Sequence, residues 1–479
     1  MPHAMRQYII LSVSLVLYFL SPFSVAAAGP LNQNPDRIKH PPLSFDPPKP
    51  ERISWKNGMS IYLLTERELP LVNLSAVVRS GSIYDPQGKE GLAELTGAVM
   101  RSGGSRRMTS SEINKALDFT GASLEVAVGK DSTTLSLSVL KKDIDAALKI
   151  FSGIIKEPAF EEKQLDLAKR LRIAGLKRTL DDPDRLAFRE FNRLIYRDNP
   201  RGRLAGINSI EGIVREDLVS LHREYFQPAN TIIAISGDIG KDEAIKKLED
   251  NLGDWSSSTS EPPRKIPVPA PRQPGAIYFI EKDTPQSIII IGWIAPKKTG
   301  VGYYPFILAD FLLGSGGFRS RIFSEIRSAH GLAYSTGSVY RARSDYGIFF
   351  AYSMTKAEST TKALSLLKTI IDDFKKNPLT PKELTWAQTS INNGFIFSFL
   401  SADQIARNHL MLEYDGLPDD FYLAYQSRVQ KVTPGEVQAI ARDYLFWEEA
   451  VILVVGREKD FEGQLGDFGQ VKRITATVE

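Results

Sequence analysis

Between residues 134 and 139 apolar and polar side chains alternate, the period of a strand with one face in a core. A few positions on, the period changes. Ile144, Ala147, Leu148, Phe151 and Ile155 recur at helical spacing over residues 143–155, and Pro158 stops the run. Upstream, Thr109 and Glu112 form a capping box that opens a helix predicted to end near Thr120. The second half of the chain carries the same mixture. Residues 288–294 are an apolar run broken only by Gly292, which predicts a strand, and residues 360–374 and 381–399 have helical period.

Two segments read as copies of one another. DLVSLHREYFQPANTIIAISGD starts at Asp217 and EVQAIARDYLFWEEAVILVVGR starts at Glu436. Each is a helix-period stretch, a Tyr, a short break and an apolar β-branched strand closed by Gly. Tyr225 and Tyr444 are 219 positions apart, and so are Gly237 and Gly456. An equal offset over two elements favours a duplicated unit. Strands followed by runs of helices, twice over, predict an α+β layer in each of two homologous halves.

Punctuation in the chain sets the boundaries. Arg6 is the only Lys, Arg, Asp or Glu in the first 28 residues, residues 9–20 are apolar, and Ala26, Ala27 and Ala28 close the segment. That order predicts a secretory signal peptide over 1–28; a membrane anchor is the alternative, although the apolar run is short for a bilayer. No later stretch is apolar enough to span, so a soluble mature chain is expected. Residues 29–50 form a Pro-rich arm, and the Ser- and Pro-rich stretch 256–275 reads as a linker between a domain at 51–255 and one at 276–479.

Composition then removes several classes of function. With 479 residues, 42% of them hydrophobic, the chain can bury a sizeable core. Sixty Lys and Arg against 57 Asp and Glu leave no basic excess for nucleic acid. The absence of cysteine excludes disulfides, thiolate metal sites, Cys nucleophiles and a lipidated N-terminal Cys.

Several separated blocks stand in one order: PPKPERISWKNGMSIYLLTERELPLV, SGSIYDPQGKEGLAELTGAVMRSGG, GLKRTLDDPDRLAF, the stretch from NPRGRLAG to AISGD, and GSGGFRSRIFSEIRSAHGLAYS. Together they resemble the insulinase (pitrilysin) family of zinc peptidases. The resemblance implies a processing-peptidase-like metallohydrolase fold, with two halves in a clam-shell, each a mostly antiparallel sheet covered by helices. Active members carry H-x-x-E-H on the helix after the Gly-Leu-Ala of the second block, where two His bind zinc and the Glu serves as general base. By resemblance those three positions fall on Glu94, Gly97 and Ala98 here, and the third ligand, a later Glu, falls on Gly175. None can act as the family residue does. The five His, at 3, 40, 222, 330 and 409, include no pair within four residues. A carboxylate site built on Glu94 would suit zinc poorly. The expectation is therefore no metal in this chain and zinc in a partner.

The second half keeps what the first lacks. Family members position the scissile carbonyl with an Arg and a Tyr seven residues apart, and SEIRSAHGLAYS supplies Arg327 and Tyr334 at that spacing. Five fixed guanidinium donors and a phenol suit a developing oxyanion. The plainer alternative makes Arg327 a solvated helix residue and Tyr334 a sheet residue. Other features have plain readings. Gly314, Ser315, Gly316 and Gly317 lack a P-loop's following Lys-Ser/Thr and predict a tight turn between helices. His222 and His330 are expected to be structural or exposed, Glu94 solvated, and Tyr303, Tyr304, Phe306 and Phe311 core.

The resemblance thus implies a non-catalytic subunit of a heteromeric zinc metalloendopeptidase, and the signal-type N-terminus leads us to expect it secreted to the periplasm. It would supply Arg327 and Tyr334, alongside a catalytic insulinase-type partner carrying H-x-x-E-H, toward unfolded peptides, with no nucleic acid and no stable membrane span. A stand-alone peptide-binding or assembly module, and a self-sufficient peptidase with an unorthodox metal site, are the alternatives.

Overall fold

The computed structural model describes residues 45–257, 264–272 and 274–479. The signal segment 1–28, most of the arm 29–50 and residues 258–263 and 273 of the linker lie outside them. Two six-stranded sheets organise the rest. The first contains β1 (Glu51–Ser54), β2 (Ser60–Thr65), β3 (Leu71–Val78), β4 (Ser123–Val128), β5 (Thr133–Leu140) and β6 (Thr231–Gly237), in the order β1-β2-β6-β3-β5-β4. The second contains β7 (Ala276–Glu281), β8 (Gln286–Ala295), β9 (Ala333–Ala342), β10 (Gly347–Lys356), β11 (Val451–Gly456) and β12 (Val471–Arg473), in the order β12-β7-β11-β8-β10-β9. Only β2–β6, β7–β11 and β12–β7 are parallel. Apart from the outer strands β1 and β12, the two sheets share one topology.

The predicted periods become contacts. Leu135, Leu137 and Val139 of β5 point into the first core together with Ile144, Leu148 and Phe151 of helix Ile144–Lys156. The capping box closes as expected: the Thr109 amide donates to Glu112 Oε2 at 2.8 Å, and the Glu112 amide to Thr109 Oγ1 at 3.3 Å. In the second core Phe306 is fully buried with Phe349, and Tyr304 and Phe311 pack at its edge. The helix expected over 381–399 stops at Phe395 and tightens into a 3₁₀ turn, Ile396–Phe399. The Gly314 region also differs from a simple turn. Phe311–Ser315 is a π-helical turn, and Gly314 lies so close to β9 that a Cβ would meet the Ser338 amide nitrogen at 2.3 Å. Only Gly317, at φ +70°, makes the bend.

Each half covers the other's sheet. Central strands such as β6 and β11 are buried along their whole length, so both sheet faces need an apolar cover. Helix Pro183–Tyr196, from the first half of the sequence, sets Leu186, Phe191, Leu194 and Ile195 on Ile290, Ile348 and Leu453 of the second sheet. Helix Ala402–Asp415, from the second half, returns Ala406 and Leu410 to Tyr62, Val77 and Ile232 of the first. Pro183 and Ala402 are 219 positions apart, as are Tyr196 and Asp415, the offset already seen for Tyr225 and Tyr444. Exchange of this helix therefore belongs to the duplicated unit. It also accounts for Gly292, since a Cβ there would meet Phe191 Cζ at 2.2 Å.

Residues 474–478 tie the halves a second time. The Ile474 amide donates to the Phe279 carbonyl at 2.9 Å, Arg189 Nη1 to the Thr477 carbonyl at 3.2 Å, and the Ile207 amide to the Val478 carbonyl at 2.5 Å. Val478, 5% exposed, joins the first core.

Candidate functional site

Helix Leu92–Ser102 carries the positions matched to the zinc motif. Gly91, at φ +102°, turns the chain into it, and Asp85 caps it by accepting from the Gly91 and Ala93 amides at 2.7 and 2.8 Å. Burial pushes the Asp85 carboxyl up to about 7 against the pull of those two amides. Glu94 lies in the first turn, Gly97 one turn on, and Ala98 is exposed.

Gly97 is walled in by the sheet edge. A Cβ at this position would fall 2.3 Å from Val128 Cγ2 and 3.3 Å from Val126 Cγ1, both on β4. No side chain of any size fits there unless Val128 moves. Glu94, expected to be solvated, is instead paired with Arg172 of helix Glu162–Asp181 at 2.6 Å, each side chain 37% exposed. Gly175 lies nearly one turn beyond Arg172, and a Cβ on it would meet nothing within 4 Å. An ion pair thus joins the two helices that a metal would join in an active member of the resembled family. Zinc wants three or four His, Cys or carboxylate ligands, and among the described residues no such group of three converges. The residues present do not fit the metal.

The second pair sits at the opposite sheet's edge. Arg327 belongs to the π-helical segment Phe323–Ala329, an i→i+5 geometry that often marks functional positions. Its Nη1 donates to the Tyr334 main-chain carbonyl at 2.7 Å, and the guanidinium lies 5.0 Å from the Phe323 ring centroid. Tyr334, 50% exposed, starts the edge strand β9, and its hydroxyl donates to Met354 Sδ at 3.2 Å. A thioether is a weak acceptor, so the phenol can turn to a stronger one. Partial burial and the nearby Asp184 carboxylate raise the phenol above its usual pKa, which keeps it a donor. Asp184 follows the Gly175 helix by three residues, so the chain runs from the degenerate positions directly to the Tyr334 neighbourhood. The sequence places both groups correctly on their elements. Val126, Val128 and Arg172 it leaves unmarked, because a Gly in a helix gives no hint of which strand closes over it.

His222 and His330 have a structural and an exposed setting, respectively. His222 Nε2 donates to the Ile155 carbonyl at 2.9 Å, with its ring stacked on Phe226 and edge-on to Phe160. Burial pulls its pKa down to about 4. His330 is exposed, with Nδ1 2.9 Å from the Glu325 carbonyl.

Two family descriptions match this chain in order: Insulinase (Peptidase family M16) over residues 63–204 and Peptidase M16 inactive domain over residues 212–391. The chain belongs to peptidase family M16. An uncharacterized zinc protease of Rickettsia bellii is 25% identical to this M16 chain over 345 residues, 71% of this chain and 81% of its own length. The non-peptidase homolog YmxG of Helicobacter pylori is 24% identical over 409 residues, 82% of this chain and 90% of that one. Solved structures share the fold. A peptidase M16 inactive domain from Pseudomonas fluorescens superposes with a TM-score of 0.79 at 24% identity, covering 85% of this chain and 98% of that one. The periplasmic protease PqqL from Escherichia coli gives 0.72 at 15% identity, covering 86% of this chain and 46% of that one.

Proposed function

We propose that this M16 chain is a non-catalytic, substrate-binding subunit of a heteromeric zinc metallopeptidase acting on unfolded peptides. One observation carries the reading: Val126 and Val128 occupy the space that a general base at position 97 would need. A partner with an intact H-x-x-E-H would hold the zinc, the base and the attacking water. Arg327 and Tyr334 of this chain would bind the scissile carbonyl and stabilise the oxyanion. Among the described residues β4 and β9 end their sheets with one edge unpaired, and such an edge can take up an extended peptide by backbone hydrogen bonds. The printed name of the Helicobacter pylori relative agrees with a non-catalytic role. The Rickettsia bellii name points the other way; the residues at 94, 97, 98 and 175 favour the non-catalytic reading. The signal-type N-terminus supports secretion to the periplasm. Among the described residues no helix is long and apolar enough to cross a membrane.

The test is co-expression with an M16 subunit bearing H-x-x-E-H. The expected result is a complex that co-elutes and cleaves peptides, while this chain alone holds no stoichiometric zinc and cleaves none. One tightly held zinc per chain with chelator-sensitive hydrolysis would establish a self-sufficient enzyme instead. Separate elution, with a partner fully active alone, would leave the second reading, a peptide-binding or assembly module using the same open edges.

A further inference from the structure

Where the two halves and the linker meet, a cavity of about 290 Å³ opens that the peptidase reading does not use. Arg79, Asp131 and Arg201 line it from the first half, Arg343 and Asp345 from the second, and Arg264 from the linker. With Lys265 and Asp415, the wall carries five cations against three carboxylates. Two of those carboxylates are committed: Asp345 Oδ2 accepts from Arg201 Nη2 at 3.0 Å, and Asp415 faces Lys298 at 3.3 Å. Asp131 forms long ion pairs with Arg201, at 3.7 Å, and Arg343, at 3.8 Å, beyond hydrogen-bond reach of both, and its Oδ2 has no hydrogen-bond partner among the described residues. Arg201 is 5% exposed, and its Nε likewise has none. Arg264 and Lys265 form no ion pair among the described residues. Arg79 is held in place over the Tyr414 ring at 4.3 Å.

Arg201 already donates to Asp345 and to the Pro267 carbonyl, at 2.7 Å, but its buried Nε is left idle beside an excess of positive charge, and an unmet buried donor is costly. Lys130, just behind the wall, feels the same imbalance. Its Nζ donates to the Arg201 carbonyl at 2.9 Å; burial pulls its pKa down to about 8, and Arg201, Arg341 and Arg343 add to the fall against Asp131. The wall's cations come from four separate segments of the chain. A planar carboxylate fills one guanidinium fork, whereas a tetrahedral oxyanion offers oxygens in several directions. At this volume the cavity has room for a phosphate or pyrophosphate with some hydration.

We propose that this seam cavity binds a small phosphate-type oxyanion through Arg201, Arg343 and Arg264. Bound there, the anion ties both halves to the linker. The site shares no residue with Arg327, Tyr334 or the degenerate zinc positions, so it stands whether or not the chain has a catalytic partner.

Calorimetric titration of the purified chain with inorganic pyrophosphate, at ionic strength fixed with chloride, tests it. One saturable site is expected, with a raised thermal midpoint and slower proteolysis of the linker. Arg264→Ala and Arg343→Gln alter exposed or half-exposed side chains, and circular dichroism checks their folding. Each should weaken binding by about tenfold, the loss of one charge-assisted contact. Absence of saturable binding at millimolar pyrophosphate overturns the proposal. Unchanged affinity in both variants overturns it too, as does an equal rise of the midpoint with pyrophosphate in both variants and the parent chain, which marks a general salt effect. Tighter binding of malonate than of pyrophosphate overturns the ligand class.

Discussion

Replacing Gly97 by Ala sets two effects against each other, and the structure decides which wins. In a helix interior the change normally stabilises by about 1 kcal/mol, because Gly costs backbone entropy. Here the new Cβ falls 2.3 Å from Val128 Cγ2. Carbon atoms in contact normally sit about 3.5–4.0 Å apart, so more than an ångström has to open. Val128 is β-branched and stiff at χ1, and its strand is held to β5 by the Val128–Thr133 pairing. Overpacking of this kind costs about 1–3 kcal/mol. Gly97→Ala should therefore destabilise by about 1 kcal/mol net. With Val128→Ala in place the atoms left nearest are Val126 Cγ1, at 3.3 Å, which has to give by a few tenths of an ångström, and Cβ of residue 128, at 3.8 Å, an ordinary contact. In that background Gly97→Ala should turn stabilising, with a coupling energy of about 1–3 kcal/mol in the double-mutant cycle. Urea unfolding of the four proteins measures it. Independent, additive effects, with Gly97→Ala stabilising on its own, would refute the idea that β4 closes the site. The same logic extends to metal. Installing Glu94→His, Gly97→Glu, Ala98→His and Gly175→Glu together should give no zinc by elemental analysis unless Val128→Ala accompanies them.

Three further outcomes are expected. Tyr334→Phe in the reconstituted pair should lower turnover about 10²–10³-fold, with complex formation and partner zinc unchanged, since one oxyanion donor is lost; near-normal turnover would make Tyr334 structural. His222 has a folded pKa of about 4 against 6.5 unfolded, so the unfolded chain binds the extra proton. Its contribution is fully present above pH 6.5 and is lost as pH falls toward 4, by ~3 kcal/mol at most; His222→Gln should flatten that part of the stability–pH curve, and an unchanged slope would refute the assignment. Val478→Asp puts a charge into the first core without a partner and should cost about 3 kcal/mol or more; a thermal midpoint close to wild type would show that residues 474–478 do not tie the halves.

Local periodicity determined a good deal of this protein. The alternation before Val139, the helical spacing from Ile144 to Ile155 and the Thr109–Glu112 box each encode an element within a dozen residues, and each forms as read. The offset of 219 between Tyr225 and Tyr444 was legible too, because duplication leaves its mark along the chain. That positions 94, 98 and 175 carry none of the resembled family's ligands, and 97 not its base, was read from residue identity set against that family's pattern.

Contacts between distant segments had no such signal. The apolar stripe of Pro183–Tyr196 says that something covers it, but a period gives a direction around a helix axis and not the partner in that direction. Only the tertiary structure shows that the partner is the second sheet and that Ala402–Asp415 returns the exchange. Gly292 stood in the sequence as an interruption of a strand, and its reason is Phe191, 101 positions away. The same holds for Val128 over Gly97, for Arg172 on Glu94, and for the arginines gathered at the seam. Each depends on the distance between side chains brought together by two sheets packing, and that distance is set by the sum of all the burials in both cores rather than by any one stretch of sequence.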